Sequence, residues 1–189
     1  MEENKKQDSN SLLTQKMIDN RTILIYGEIN QDLAKEVSTQ LLLLASISED
    51  PITIFINSQG GHVEAGDTIH DMIKFVKPAV KIVGTGWVAS AGITIFLAAN
   101  KKDRYSLPNT RFMIHQPAGG VQGQSTEIQI EAKEIVKMRE RINRLIAKAT
   151  GQSYEKVSED TDRNFWMSAE EASSYGIVGK IIDKSKQVK

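Results

Sequence analysis

Apolar and polar positions along this chain change period several times, and each change predicts an element. Thr22–Tyr26 reads as a buried strand ended by Gly27. Leu33, Val37, Leu41 and Leu44 then recur at helical spacing. Ile52–Ile56, rich in β-branched residues, predicts a second strand. The helical period returns from Val63 to Val76 through Ile69, Met72, Ile73 and Val76, and Pro78 stops it. Val80–Val83 predicts a third strand, Ser90–Ala99 a short apolar helix and Phe112–Ile114 a further strand. Strands alternating with helices imply βαβ units, arranged as a mostly parallel sheet or a superhelix of repeats. The sequence carries no internal repeat.

Thr126–Thr150 is the longest periodic segment, with a capping box predicted from Thr126 and Gln129 and a stop at Gly151. A helix of that length runs roughly 37 Å, about the width of a whole domain of this size. Ile128, Ile135 and Ile142 repeat every seven residues, with Met138 and Leu145 between them. The pattern fits a helix lying across its own domain, and better a helix that projects and packs on another subunit. Ser168 with Glu171 predicts another capping box, for a short helix ended by Gly176. Residues 1–16 are a polar segment expected to be mobile or to fold against partner subunits, and 17–189 form the single domain.

Composition narrows the function classes. With 189 residues and 40% apolar residues, the chain can bury the core of one ordinary domain. Lys+Arg and Asp+Glu both number 24, so a nucleic-acid partner is not expected. The absence of cysteine excludes disulfides, thiolate metal sites and a cysteine nucleophile. No apolar stretch is long enough to span a bilayer and the N-terminus has no signal-peptide core. A cytoplasmic protein with no membrane association is the expectation.

Three segments carry chemistry. Asn57-Ser-Gln-Gly-Gly61 follows a predicted strand and precedes a helix. Its adjacent glycines permit φ > 0, and their N–H groups suit a developing oxyanion; alone they also fit a tight βα turn. The phosphate-loop pattern Gly-x4-Gly-Lys-Ser/Thr is missing. Ser90 stands among Ala89, Ala91 and Gly92 at a helix start, where it is either an N-cap or a nucleophile. Val88 rules out a Gly-x-Ser-x-Gly elbow. His115 ends a strand before Gln116-Pro117 and Gly119-Gly120 and is the candidate base; His62 and His70 read as surface or structural. No histidine pair has metal-ligand spacing on a helix, so neither metal nor cofactor is expected.

Together these segments resemble the proteolytic subunit of the Clp (caseinolytic) serine peptidase family, over about residues 17–183. Gly86-Trp-Val-Ala-Ser90-Ala-Gly92 is similar to its nucleophile segment and Met113-Ile-His115-Gln-Pro to its histidine segment. Asn57–Gly61 resembles its glycine-pair loop, with Gln59 where proline is usual. Val121–Ser125 resembles its glycine-rich strand, leading into the handle helix at about 126–150.

The resemblance implies an α/β crotonase-like fold of repeated β/α units with a projecting handle helix. It implies Ser90 as nucleophile, His115 as general base, and the N–H groups of Gly61 and Ala91 as oxyanion donors. It further implies two stacked heptameric rings, a hexameric AAA+ unfoldase as partner and unfolded polypeptide as substrate. The orienting aspartate of the family falls on Asn164 here, within Thr161-Asp162-Arg163-Asn164-Phe165-Trp166-Met167, which also holds an extra aromatic residue, Trp166. An asparagine can orient the histidine but brings no charge, and in a Ser-His-Asp protease that change lowers turnover by about 10⁴. Weak or conditional activity is therefore expected, with homo-oligomers or mixed barrels beside an intact relative both open. Asp162 substitutes only if the chain shifts. A crotonase-type acyl-CoA hydratase or isomerase and a non-catalytic scaffold are the competing readings. Trp87 and Trp166 fit either a reshaped binding pocket or core packing.

Overall fold

The computed structural model describes residues 12–188, and the first eleven residues of the N-terminal segment lie outside it. Residues 12–19 are helical (α1). Its Leu13, Met17 and Ile18 line one groove together with Leu24 and Leu43.

A seven-stranded sheet organises the chain. Its strands are β1 (Thr22–Ile29), β2 (Ile52–Gly61), β3 (Val80–Ala89), β4 (Arg104–Ser106), β5 (Arg111–Ile114), β6 (Phe165–Met167) and β7 (Lys180–Ile181). The order β1-β2-β3-β4-β7 is parallel throughout, as expected of βαβ units. Strand β3 divides its pairing. Its first half takes β4 and its second half, Trp87–Ala89, takes β5 in parallel. Strand β6 pairs antiparallel with β5 alone.

The helices are α2 (Gln31–Ile47), α3 (Val63–Phe75), α4 (Ala91–Phe96), α5 (Ser125–Thr150), α6 (Tyr154–Asp160) and α7 (Ala169–Tyr175). Val37, Leu41 and Leu44 of α2 and Ile69 and Ile73 of α3 face the core, as their spacing requires. Ile54, Ile56 and Ile82 of the sheet are fully buried against them.

Strands β1, β2 and β3 outrun their apolar runs, β3 reaching Ala89. Gly27 does not end β1. It takes φ +79 at a register shift, and β1 continues to Ile29. Strand β2 likewise runs through the glycine pair, because Glu28 pairs with Gly60 and Ile29 with Gly61. The expected βα loop is thus bulged strand, since β1 offers it backbone partners.

The long helix projects. Residues 125–134 are exposed throughout, and only Ile142, Asn143, Ile146 and Thr150 are buried. Its capping box is Gln124 with Glu127, two residues earlier than the sequence suggested, while Gly151 ends it with φ +83 as expected. Residues 121–124, expected as a strand, lack regular structure, because no strand edge within the described residues pairs with them.

Candidate active site

Three neighbouring strands deliver the candidate residues to one place. Ser90 follows β3, His115 follows β5 and Asn164 immediately precedes β6. The Ser90 hydroxyl lies 2.7 Å from His115 Nε2, a good hydrogen-bond length for an activated serine. The Asn164 side chain lies near enough to the same imidazole to influence its titration.

Ser90 is not an ordinary N-cap. It sits at φ 55, ψ −121, a region that L-residues rarely adopt, and its side chain makes no capping bond. Such a conformation persists only where the surroundings hold it. Here the Ser90 N–H donates to the Met113 carbonyl at 3.0 Å, and the Ser90 carbonyl accepts from Ile93 at 2.9 Å. The hydroxyl is left free to face the histidine. The strand-to-helix elbow thus exists without the Gly-x-Ser-x-Gly sequence.

The glycine pair lies against the serine. A Cβ on Gly60 would stand 2.6 Å from Ser90 Cβ and 2.8 Å from the Ala89 carbonyl. Gly60 and Gly61 have φ +99 and +152, and a Cβ on Gly61 would collide with the Ile29 carbonyl. Ser58, which sequence reasoning did not single out, fixes this stretch. Its buried hydroxyl donates to the Gly27 carbonyl and accepts from the Gly60 N–H at 3.0 Å. Gln59 holds the same bulge with its amide turned so that the nitrogen donates to the Gly27 carbonyl (3.3 Å) and the oxygen accepts from the Glu28 N–H (3.2 Å).

His115 is half-buried. Burial pushes its pKa below the ordinary imidazole value, and the Asn164 hydrogen bond opposes that shift. Asp162 is committed elsewhere, with its carboxylate 3.3 Å from Arg139 and close to Arg163. A pocket beside Ser90 and His115 is lined by Val63, Thr94, Pro117, Ile142 and Ile146, so the base of the projecting helix forms one wall. The heptad pattern marked Ile142 but could not assign it to a pocket.

The remaining histidines stand apart. His70 is buried with Nδ1 2.7 Å from the Thr94 carbonyl, and His62 is exposed at the start of α3. Trp87 and Trp166 are not core; with Asn57, Gly86 and Arg111 they line a shallow surface pocket. They stack, partly exposed, at 6.2 Å between ring centroids. Among the described residues, no helix is long and apolar enough to cross a membrane.

A strained serine facing a half-buried histidine, beside a glycine pair, defines a hydrolase of the serine-peptidase type. The family model for Clp protease matches residues 4–185. ATP-dependent Clp protease proteolytic subunit 3 of Rhizobium etli is 55% identical over 168 residues, covering 89% of this chain and 87% of that protein. The solved structure of ClpP1 from Listeria monocytogenes superposes with a TM-score of 0.86 at 73% identity, over 94% of this chain and 99% of that one. An asparagine-to-aspartate mutant of that protein gives 0.88 at 74%, with the same coverage. The chain belongs to the Clp protease family, with its α/β fold and its serine-peptidase chemistry. Membership in that family removes the acyl-CoA hydratase reading.

Proposed function

We propose that this chain is the proteolytic subunit of an ATP-dependent Clp protease, with Ser90 as nucleophile, His115 as general base and Asn164 as the group that orients the imidazole. The observation that carries the reading is the 2.7 Å contact between Ser90 Oγ and His115 Nε2, made by a serine held at φ 55. His115 takes the hydroxyl proton as Oγ attacks the scissile carbonyl. The Gly61 and Ala91 N–H groups receive the oxyanion. The imidazolium then protonates the leaving amine, and an acyl-enzyme remains. Water, deprotonated by His115, attacks the ester; collapse of the second tetrahedral intermediate returns the proton to Ser90 and frees the new carboxyl terminus.

Asn164 sets the rate. Its oxygen accepts from Nδ1–H and keeps Nε2 free as the base, but it places no negative charge beside the imidazolium that forms. Activity of the isolated chain is therefore weak or conditional. The exposed apolar residues Ile128, Ile130 and Val136 on the projecting helix support assembly. We assign it to two stacked heptameric rings, of this chain alone or mixed with a second subunit of the family. A hexameric AAA+ unfoldase supplies unfolded polypeptide, the names of the relatives being the support. The reading needs no cofactor and places the assembly in the cytoplasm.

The test is labelling of the assembled protein by a serine-directed fluorophosphonate, alongside hydrolysis of fluorogenic peptides. Label on Ser90 and turnover that both vanish in Ser90→Ala are expected. Silence of the native chain and of Asn164→Asp in both assays, with assembly intact, would sink the assignment.

A further inference from the structure

One face of the small sheet β3-β5-β6 carries the two tryptophans. Trp87 lies opposite Arg111 in the β3–β5 pairing, and Trp166 lies opposite Met113 in the β5–β6 pairing. Residues two apart on a strand share a face, so Trp87, Arg111, Met113 and Trp166 stand on one side. The indoles lean towards each other over β5 and stack with an interplanar angle of 15°, while the Arg111 guanidinium lies 5.6 Å above the Trp166 ring. They remain 43% and 39% exposed, so burial alone does not account for them.

Their places on the strands matter. Trp87 lies on β3 shortly before Ser90, and Trp166 lies on β6 shortly after Asn164. Strand β6 has only three residues and pairs with β5 alone, a weak hold for a strand that starts at a site residue. A carboxylate beside an imidazolium tolerates small displacements, because Coulomb attraction falls slowly with distance. An amide relies on a directional hydrogen bond, which weakens steeply when misaligned. With asparagine at this position, the scaffold must impose the geometry.

We propose that the Trp87–Trp166 stack is a positioning clamp, fastening β6 to β3 across β5 and thereby holding Asn164 in register with His115 and Ser90. The proposal rests on the triad reading above and deepens it. The tryptophans touch no reacting atom; they act through Asn164.

The test uses the assembled protein with Trp87→Ala, Trp166→Ala, the double variant and Trp166→Phe, each in the native and Asn164→Asp backgrounds. Each alanine variant is expected to lower kcat about five- to tenfold, the scale of one aromatic contact, with KM nearly unchanged. The double variant should lose no more than either single one, because both remove the same stack. Trp166→Phe should recover most of the rate, and the losses should shrink in the Asn164→Asp background. Unchanged kcat, a change in KM alone, as for a partner- or substrate-docking patch, or equal losses in both backgrounds would overturn the clamp. Crystal structures of the native chain and Trp166→Ala give a readout free of turnover. A longer Asn164–His115 separation in Trp166→Ala than in the native chain supports the clamp, and an unchanged separation overturns it. If neither background turns over, the triad assignment fails and the structural comparison still decides the clamp.

Discussion

The N–H of Gln116 donates to the carbonyl of Thr161 across 2.6 Å, joining the residue after the site histidine to the turn that delivers Asn164. The Gln116 amide adds a second link, to the Asp162 carbonyl at 2.7 Å. Thr161 is fully buried, and its hydroxyl lies 2.8 Å from the Val157 carbonyl and 3.0 Å from Asn143 Oδ1 of the projecting helix. The histidine segment, the Asn164 turn and the base of the handle are thus one hydrogen-bonded unit.

Thr161→Val keeps the shape and removes the hydroxyl. The Asn143 amide, whose nitrogen is already without a partner, then also loses its oxygen's partner in a buried place. A buried polar group left unpaired costs about 1–3 kcal/mol. Thermal unfolding at fixed protein concentration should show a lower midpoint, with kcat reduced as well. An unchanged midpoint would mean that the contact is not stabilising.

Asn164→Asp restores a charge beside the imidazolium. Peptide turnover is expected to rise by at least about tenfold, with about 10⁴ as the ceiling set by Ser-His-Asp proteases. The gain should fall in kcat. Steady-state kinetics of assembled protein checks this, and an unchanged kcat would show that the third residue does not limit the rate.

The acid limb of the pH–rate profile reports on His115. Burial chiefly, opposed by the Asn164 hydrogen bond, holds its pKa below the ordinary value of 6.5. A general base works in its neutral form, so kcat/KM is lost as pH falls through that lowered pKa. The midpoint is therefore expected below 6.5 in the native chain. Asn164→Asp favours the imidazolium and should move the limb to higher pH. A native midpoint above that of the aspartate variant would contradict the assigned geometry.

Gly60→Ala tests the close approach of the glycine pair to the nucleophile. The new Cβ would meet Ser90 Cβ at 2.6 Å, from a backbone at φ +99 that alanine avoids. Backbone strain of about 1–3 kcal/mol is expected, together with displacement of the serine. Fluorophosphonate labelling should slow by about a hundredfold or more while the assembled ring persists, which is measurable by labelling rate and size-exclusion chromatography. Labelling at the native rate would show that the serine has room the structure does not give it.

Local pattern in the sequence determined the alternation of strands and helices, the long helix and its glycine stop, the core faces of α2 and α3, and the segments of Ser90 and His115. These follow from side-chain period and from glycine and proline chemistry, which act over a few residues. Tertiary structure alone decided the rest. Strand β2 extends through the glycine pair because β1, some thirty residues earlier, offers it backbone partners. Ser90 takes a positive φ because Met113, on another strand, holds its N–H. Asn164 meets His115, and Trp87 meets Trp166, because β3, β5 and β6 lie side by side. Such pairings join positions far apart in sequence, and no local period encodes which strand will be the neighbour.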